Sequence, residues 1–395
     1  MTSPRRTRIV HVAGNLETGG MQNMMLQIIR NSDPAKYESV IVHFKGPNHF
    51  SDEIRKHGWK RVKVPMSRKL SPGRVFALGR ELKDLRPDIV HLHSDFANNA
   101  GRVACVAAGI SRVVVHQHNT YEHRMNDDFR RRENALIPYS DTIICCSRGV
   151  EEFFRANFNI EGARIRRVVN GIDIVPFEKM RQRRAELRAK FGYAEDEFVV
   201  IYCARFEPHK QPGILVDALH HARNKMHKWR AVFLGGGSIF EETRAHGRKL
   251  FPGGELDFKG WTPNVAEHLV AADAYVLCSK NEGLALSMVE ALASGLAVVA
   301  SSVVGPMEVI TDGQDGLLVP VNSVEGLGDA LARLENDAEF RRKIVEGGTR
   351  RAQDFSLPRF MREMEECYAD VLSRPQVAPK WSRALNALVL TRQVR

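Results

Sequence analysis

Cysteine is scarce in this sequence, with six in 395 residues. Cys105, Cys145, Cys146, Cys203, Cys278 and Cys367 form no CxxC pair and no Cys/His spacing of a metal site, so neither a disulfide framework nor a zinc knuckle is expected. The thiols read as small buried groups in a reducing compartment. Long hydrophobic runs are missing too: nowhere do about 18 uncharged apolar residues follow one another, which leaves no segment to cross a membrane as a helix. Behind the basic start Met-Thr-Ser-Pro-Arg-Arg-Thr-Arg, the apolar stretch is only Ile9-Val10 and Val12-Ala13 around His11. An export signal needs an apolar core of roughly 7–15 residues, so a cytoplasmic protein is expected, with peripheral contact at the inner face of the cytoplasmic membrane left open.

Acid is also in deficit. The 47 Asp+Glu against 58 Lys+Arg leave a net charge of +11, which points to a polyanionic partner: nucleic acid, anionic lipid or a phosphorylated small molecule. Aromatics make up 8% of the chain and do not interleave with its basic runs, and no nucleic-acid reader motif is present, so nucleic acid is the weakest of the three. A GxGxxG fingerprint is absent at the first strand, which disfavours dinucleotide-linked redox chemistry. No Asp-x-Asp stands at a strand end, and Asp127-Asp128 reads as surface charge beside Arg130, Arg131 and Arg132.

What is present is an alternation of short β-rich runs with longer helical patterns. One series covers 8–13, 39–44, 88–91, 113–116 and 142–146, and a second covers 198–203, 231–234, 256–258, 274–277 and 297–301. The spacings suit crossover helices, so two doubly wound parallel α/β domains in series are expected. Between the series, 179–190 carries Lys179, Arg181, Arg183, Arg184, Arg188 and Lys190 against Glu186 alone, and is expected to be a solvated helix.

Three features carry chemistry. Gly19-Gly20 lies between the first strand and a helical run over 21–29, where glycine admits a phosphate and the helix end supplies free N–H groups, although a turn needs the same glycines. Arg205 and Lys210, in Arg-Phe-Glu-Pro-His-Lys directly after the strand 198–203, can clamp a diphosphate; two ordinary surface cations would look the same. Glu282 and Glu290 bracket the end of a strand and the start of a helix. Ser287 with Glu290 also fits a capping box, whereas Glu282 in the preceding loop has no structural purpose of its own.

Glu282-Gly with Glu290-Ala-x-Ala-x-Gly295, preceded by Ala-Asp-Ala-Tyr-Val-Leu-Cys-Ser at 272–279 and followed by Val-Val-Ala-Ser-Ser at 298–302 and Gly305-x-x-Glu308, resembles the retaining GT-B glycosyltransferases, and within them glycosyltransferase family 4. The resemblance extends over most of the chain, through Gly19-Gly20, the Asn170-Gly-Ile-Asp173 stretch, Arg205…Lys210, the glycine run 235–237, Gly260-Trp261 and Asp312-Gly…Gly316. The run His116-Gln-His118-Asn119 is similar to that of capsule and exopolysaccharide members.

The resemblance implies two Rossmann-like domains facing a central cleft: an acceptor domain over 1–175, a donor domain over 176–365, and a C-terminal helix over about 366–395 crossing back to the first domain. It implies that Arg205 and Lys210 hold the donor diphosphate, that Glu290 accepts the ribose hydroxyls, and that Glu282 with the amides of Gly283, Leu284 and Ala285, at the head of a helix reached by Leu286, holds the donor sugar. His118 would steer the reacting face of the sugar, Gly19 and Gly20 would admit the diphosphate, Gly260, Trp261 and Thr262 would pack on the nucleobase, and Gly236 and Asn170 would line the donor site. The donor would be a UDP- or GDP-sugar and the acceptor a carbohydrate, a lipid-linked sugar or a small molecule, with neither metal nor cofactor required. Two departures stand out: the loop after Arg205 reads Glu-Pro-His-Lys-Gln instead of the commoner Lys-Gly ending, and position 285, often Phe in the family, is Ala, leaving a wider sugar pocket. The same fold also serves nucleotide-sugar 2-epimerases, a rival reading that the Arg205…Lys210 and Glu282…Glu290 pairs disfavour.

For the acceptor side, 55–74 carries Arg55, Lys56, Lys60, Arg61, Lys63, Arg68, Lys69 and Arg74, with Trp59 and Met66 interspersed. It is either a surface for anionic lipid or an ordinary solvated face. The tail 378–395 places Trp381, Leu385 and Leu388 on one helical face, and packing against the first domain or contact with a membrane would each account for it.

Overall fold

The computed structural model describes residues 5–17, 19–48, 50–66, 71–121, 125–160 and 164–375. The tail 378–395, Arg68 and Lys69 lie outside these. The chain forms two compact units, Met1–Val169 with Phe360–Arg395, and Asn170–Arg359. The boundaries fall at 169/170 and 359/360 instead of the expected 175/176 and 365/366. The reason is local: the amide of Ile172 donates to the Phe355 carbonyl at 2.9 Å and Leu357 N donates to Ile172 O at 2.8 Å, so the 170–175 stretch is already tied into the second unit.

The first unit runs β1 (Thr7–Leu16), α1 (Gly20–Asn31), β2 (Tyr37–Asn48), α2 (Ser51–Lys56), β3 (Lys60–Lys63), α3 (Pro72–Asp84), β4 (Ile89–His93), α4 (Asp95–Ala108), β5 (Val113–Gln117), α5 (Asp127–Leu136), β6 (Thr142–Cys145), α6 (Arg148–Asn157) and β7 (Ile165–Arg167). Its seven strands order as β3-β2-β1-β4-β5-β6-β7, with parallel pairing throughout. Central strands β4 and β5 are buried at every position, as a sheet covered on both faces requires.

The second unit runs α7 (Val175–Arg181), α8 (Arg184–Phe191), β8 (Phe198–Cys203), α9 (Pro212–Ala222), β9 (Trp229–Leu234), α10 (Phe240–Leu250), β10 (Leu256–Gly260), α11 (Val265–Ala271), β11 (Ala274–Leu277), α12 (Leu286–Ala293), β12 (Ala297–Ser301), α13 (Val304–Val309), β13 (Leu317–Val319), α14 (Val324–Asn336) and α15 (Ala338–Ala352). Its sheet is β10-β9-β8-β11-β12-β13, again parallel. A core of Val200, Tyr202, Phe206, Leu215, Leu219, Phe233, Val276 and Val299 joins the sheet to its helices. In both units the strand order reverses beside the first strand, at β1/β4 and at β8/β11. Crossover helices leave in opposite directions there, and the carboxyl ends of those strands open a crevice for ligands.

The final helix, α16 (Leu357–Ser373), belongs to the first unit for most of its length. Tyr368 OH bonds His91 Nδ1 at 2.8 Å, Glu366 pairs with Arg166 at 2.8 Å, and Arg374 pairs with Asp141. The early part of the C-terminal segment therefore packs on the first unit.

Two expectations are corrected here. The basic stretch 179–190 is not merely solvated: Arg184 and Arg188 both reach Asp273, at 2.7 and 3.0 Å, and the buried Arg188 also donates to the carbonyls of Ala271, Ala194 and Glu197. Their counter-charge lies more than 80 residues away, where no local charge count finds it. In the stretch 55–74, Met66 is buried and the half-buried Trp59 stacks on His57 and packs against a core of Leu16, Met25, Leu26 and Ile54, so both contribute to packing within the first unit. The exposed cations Lys60, Arg61 and Lys63 lie on β3, the edge strand of the first sheet. Among the described residues no helix is long and apolar enough to cross a membrane.

Candidate active site

At the switch point of the second sheet, loops from neighbouring strands are joined by backbone hydrogen bonds. Phe206 N, after β8, donates to Gly236 O at 2.9 Å; Gly235 N, after β9, donates to Gly260 O at 2.8 Å. Lys280 N, after β11, donates to His209 O at 2.8 Å, and Gly305 N, after β12, donates to Glu282 O at 3.1 Å. Glycine is obligatory in this weave. A Cβ at Gly235, where φ is +122°, would come within 2.0 Å of the Ala204 carbonyl, and one at Gly237 within 2.4 Å of the Phe206 carbonyl. Glu207 adds a side-chain latch, accepting from Ser238 Oγ at 2.8 Å, which holds its carboxyl below the usual range.

The structure thus brings Arg205, Lys210, Gly236, Gly260, Glu282 and the 283–286 segment to one sheet edge. Lys210 sits in a single 3-10 turn, Pro208–Lys210, and its ammonium is paired with the buried Glu282 carboxylate. Arg205 is exposed. His209, between them in sequence, is held below the ordinary imidazole value first by burial and then by Lys210 and Arg205, a sign of positive potential at this edge.

Glu290 lies on α12. The capping box expected of Ser287 and Glu290 does not form: Ala285 occupies the N-cap without a side-chain bond, and Ser287 Oγ instead meets Tyr275 OH at 2.8 Å. Glu290 is thereby left without a capping role. Part of its side chain remains exposed, yet its carboxyl is desolvated and burial pushes it up to about 7. It adjoins the end of β8, where it adds to the burial that pushes the Cys203 thiol up to about 12. Gly283, Leu284 and Ala285 are buried just ahead of α12, whose first residue is Leu286. Trp261 is 66% exposed just past β10, and Thr262 Oγ1 accepts from Asn264 N at 3.2 Å.

Other predicted residues lie elsewhere. Asn170 is buried at the start of the second unit, with Oδ1 unpartnered among the described residues and its carbonyl near Arg359 at 3.5 Å. In the first unit Gly19 is the N-cap of α1 and Gly20 opens it; a Cβ at Gly20 would meet nothing within 4 Å, so that position is open. His118 follows β5, stacked on His116 with ring centres 4.1 Å apart, and burial lowers it to about 4, so its imidazole is neutral. No motif in the sequence singles out His11, His91 and His93, although His-x-His on a strand places both rings on one sheet face.

Two doubly wound parallel α/β domains define the GT-B fold of the glycosyltransferases. The chain belongs to glycosyltransferase family 4: the family model described as Glycosyltransferase Family 4 matches residues 18–175, and that described as Glycosyl transferases group 1 matches residues 183–351. Among its relatives is the Escherichia coli UDP-Gal:alpha-D-GlcNAc-diphosphoundecaprenol alpha-1,3-galactosyltransferase, 23% identical, the match covering 93% of this chain and 98% of that protein. The D-inositol 3-phosphate glycosyltransferase of a Nocardioides species is 27% identical over 75% of this chain and 72% of its own. The crystal structure of Anabaena HepE in complex with UDP-glucose superposes with a TM-score of 0.80 at 19% identity, covering 92% of this chain and all of the other. The chain is a glycosyltransferase enzyme.

Proposed function

We propose that this enzyme transfers a hexose from a UDP-sugar to a hydroxyl of a lipid-linked saccharide with retention of anomeric configuration and without a metal, in polysaccharide or glycoconjugate synthesis. The observation that carries the reading is the woven edge at β8/β11, where one buried carboxylate, one paired ammonium and one exposed guanidinium meet beside the head of α12. A diphosphate arriving there draws on Lys210 and Arg205, and the sugar hydroxyls replace Lys210 as hydrogen-bond partners of Glu282. Glu290 takes the ribose hydroxyls, Trp261 offers its face to the base, and Gly236, Gly260 and the amides of 283–286 line the rest.

In the reaction the C1–O bond of the donor breaks and its electron pair goes to the diphosphate, whose growing charge the two cations stabilise. The acceptor oxygen attacks C1 from the face the diphosphate leaves, and its proton passes to the departing phosphate oxygen. A double displacement needs a carboxylate nucleophile about 5 Å from the acid. Both motif glutamates are engaged with donor hydroxyls in this scheme, so the front-face route is preferred. His118, neutral and buried, is suited to orienting the sugar through hydrogen bonding. UDP is favoured over GDP, and a lipid-linked acceptor over a free sugar, by the substrates named for the Escherichia coli relative and by the UDP-glucose bound in the structural neighbour. Lys60, Arg61 and Lys63 would hold the enzyme on an anionic bilayer, each worth about 1 kcal/mol near the surface.

The test is transfer from a panel of UDP- and GDP-sugars to a diphosphate-lipid-linked sugar in anionic vesicles, with the product anomer assigned by NMR. Transfer from a UDP-sugar with retained configuration, weakening as salt rises, is expected; an inverted product overturns the mechanism, and C2 epimerisation of the free donor overturns the activity. A further expectation follows from Glu290. A protonated carboxyl loses acceptor capacity, so donor KM rises as pH falls from about 8 to about 6, and Glu290→Gln abolishes that slope. Folding bears the opposite mark. Because the folded carboxyl titrates at about 7 and the unfolded one at its ordinary value of 4.5, stability declines as pH rises between those two values and levels off above them. Glu290→Gln therefore gains about 1–3 kcal/mol above neutrality while binding donor more weakly. A flat KM profile in the unaltered enzyme would remove Glu290 from the donor site.

A further inference from the structure

Five histidines crowd one face of the first sheet. Strand register sets His11 of β1 opposite His91 of β4, and His93 opposite His116 of β5, while the two-residue period keeps His91 with His93 and His116 with His118. His11, His91, His93 and His116 have no solvent exposure. Ring centres are 5.4 Å apart for His11 and His91, 5.5 Å for His11 and His93, and 4.0 Å for His91 and His93.

Their hydrogen bonding is badly incomplete. His11 Nδ1 meets His93 Nε2 at 3.2 Å and His91 Nδ1 meets Tyr368 OH at 2.8 Å. Among the described residues, no partner meets the buried His11 Nε2, His91 Nε2, His93 Nδ1, both nitrogens of His116, or His118 Nε2. Each such group ordinarily costs about 1–3 kcal/mol, and a stack of this size on the face of a core sheet would be better built from valine if packing were its only purpose.

We propose that His11, His91 and His93 bind one late first-row transition-metal ion of the zinc class as a structural centre of the first unit, separate from glycosyl transfer. One ring nitrogen from each of the three lies within 4.8 Å of the others, and modest ring rotation brings three nitrogens to the 2.0–2.1 Å typical of zinc–imidazole bonds. Three imidazoles and no carboxylate select zinc, copper or nickel over magnesium or calcium. Tyr368 supplies the outer support: with the His91 Nδ1 proton donated to its hydroxyl, the lone pair of that ring is fixed on Nε2. The centre would thereby tie α16 to the β1/β4 pair. A second trio, His93, His116 and His118, meets the same distance criterion and shares His93, so the two compete for one ion. The first is preferred because Tyr368 orients it.

The full-length protein, stripped with a chelator and titrated with Zn²⁺, and with Co²⁺ for its visible ligand-field bands, tests the assignment. One equivalent is expected, with visible ligand-field bands from imidazole-bound Co²⁺ and a raised melting temperature. His11→Asn and His91→Gln should each weaken Zn²⁺ binding about tenfold or more, and Tyr368→Phe, which keeps the packing, by about 10–100-fold. His116→Gln should leave binding unchanged. Absence of binding in the unaltered protein overturns the proposal, and this outcome does not depend on how well any variant folds. Binding that survives His11→Asn and His91→Gln but falls in His116→Gln moves the ion to the other trio and overturns it as well. Equal retention in all variants assigns the metal to exposed surface histidines and likewise overturns the proposal.

Discussion

Lys210→Ala is expected to lower kcat/KM for transfer by about 10²–10³ while the fold persists, because a cation aimed at the leaving diphosphate acts mainly in the transition state. The effect needs a control, since Lys210 is also the partner of Glu282, a carboxylate only 10% exposed. Removing one member of a buried pair leaves a charge uncompensated, and part of the loss could then be structural. Lys210→Met combined with Glu282→Gln separates the two. The double variant should recover the melting temperature lost in Lys210→Ala and remain inactive. Turnover within a few-fold of the unaltered enzyme in Lys210→Ala would remove the clamp from the mechanism.

The largest loss of stability is expected at Asp273, away from the site. Its Oδ1 accepts from Arg184, and its Oδ2 from Arg188 at 3.0 Å and from the amide of Val199 at 2.9 Å, so one side chain fastens α8 to the first strand of the second unit. Asp273→Ala strands the buried Arg188 guanidinium and should cost about 3–5 kcal/mol in urea unfolding of the second unit. Asp273→Asn, which keeps hydrogen bonds without the charge, should cost less. A loss under about 1 kcal/mol in Asp273→Ala would mean that the carbonyls of Ala271, Ala194 and Glu197 suffice for Arg188.

Much of the fold is legible in the sequence because strands buried on both faces read as apolar runs. Three strands, β8, β11 and β12, lie where those runs place them. The short strands β3, β7 and β13 do not stand out: β3 is Lys-Arg-Val-Lys and β7 is Ile-Arg-Arg, edge strands whose polar faces break the pattern. In the candidate site, Arg205, Lys210 and Glu282 stand out as loop residues at strand ends, and the order of the strands explains why those two loops adjoin. What the sequence hides is pairing over distance: Lys210 with Glu282, Ser287 with Tyr275, Arg188 with Asp273. Local spacing suggests a capping box at Ser287, but a tyrosine twelve residues earlier takes its hydroxyl. The histidine face is hidden for the same reason, since it exists only once β1, β4 and β5 are set side by side.

Among the described residues no strand pairs with the outer side of β3, and three of its four side chains are cationic. A bare parallel edge is a template on which a second chain can add a strand. Lys60, Arg61 and Lys63 make a self-match repulsive, since two copies meeting edge to edge would bring six positive charges together. The same charges make the protection conditional. On a densely anionic surface they are neutralised, the repulsion between copies weakens, and this edge becomes the place where crowded copies can begin to associate.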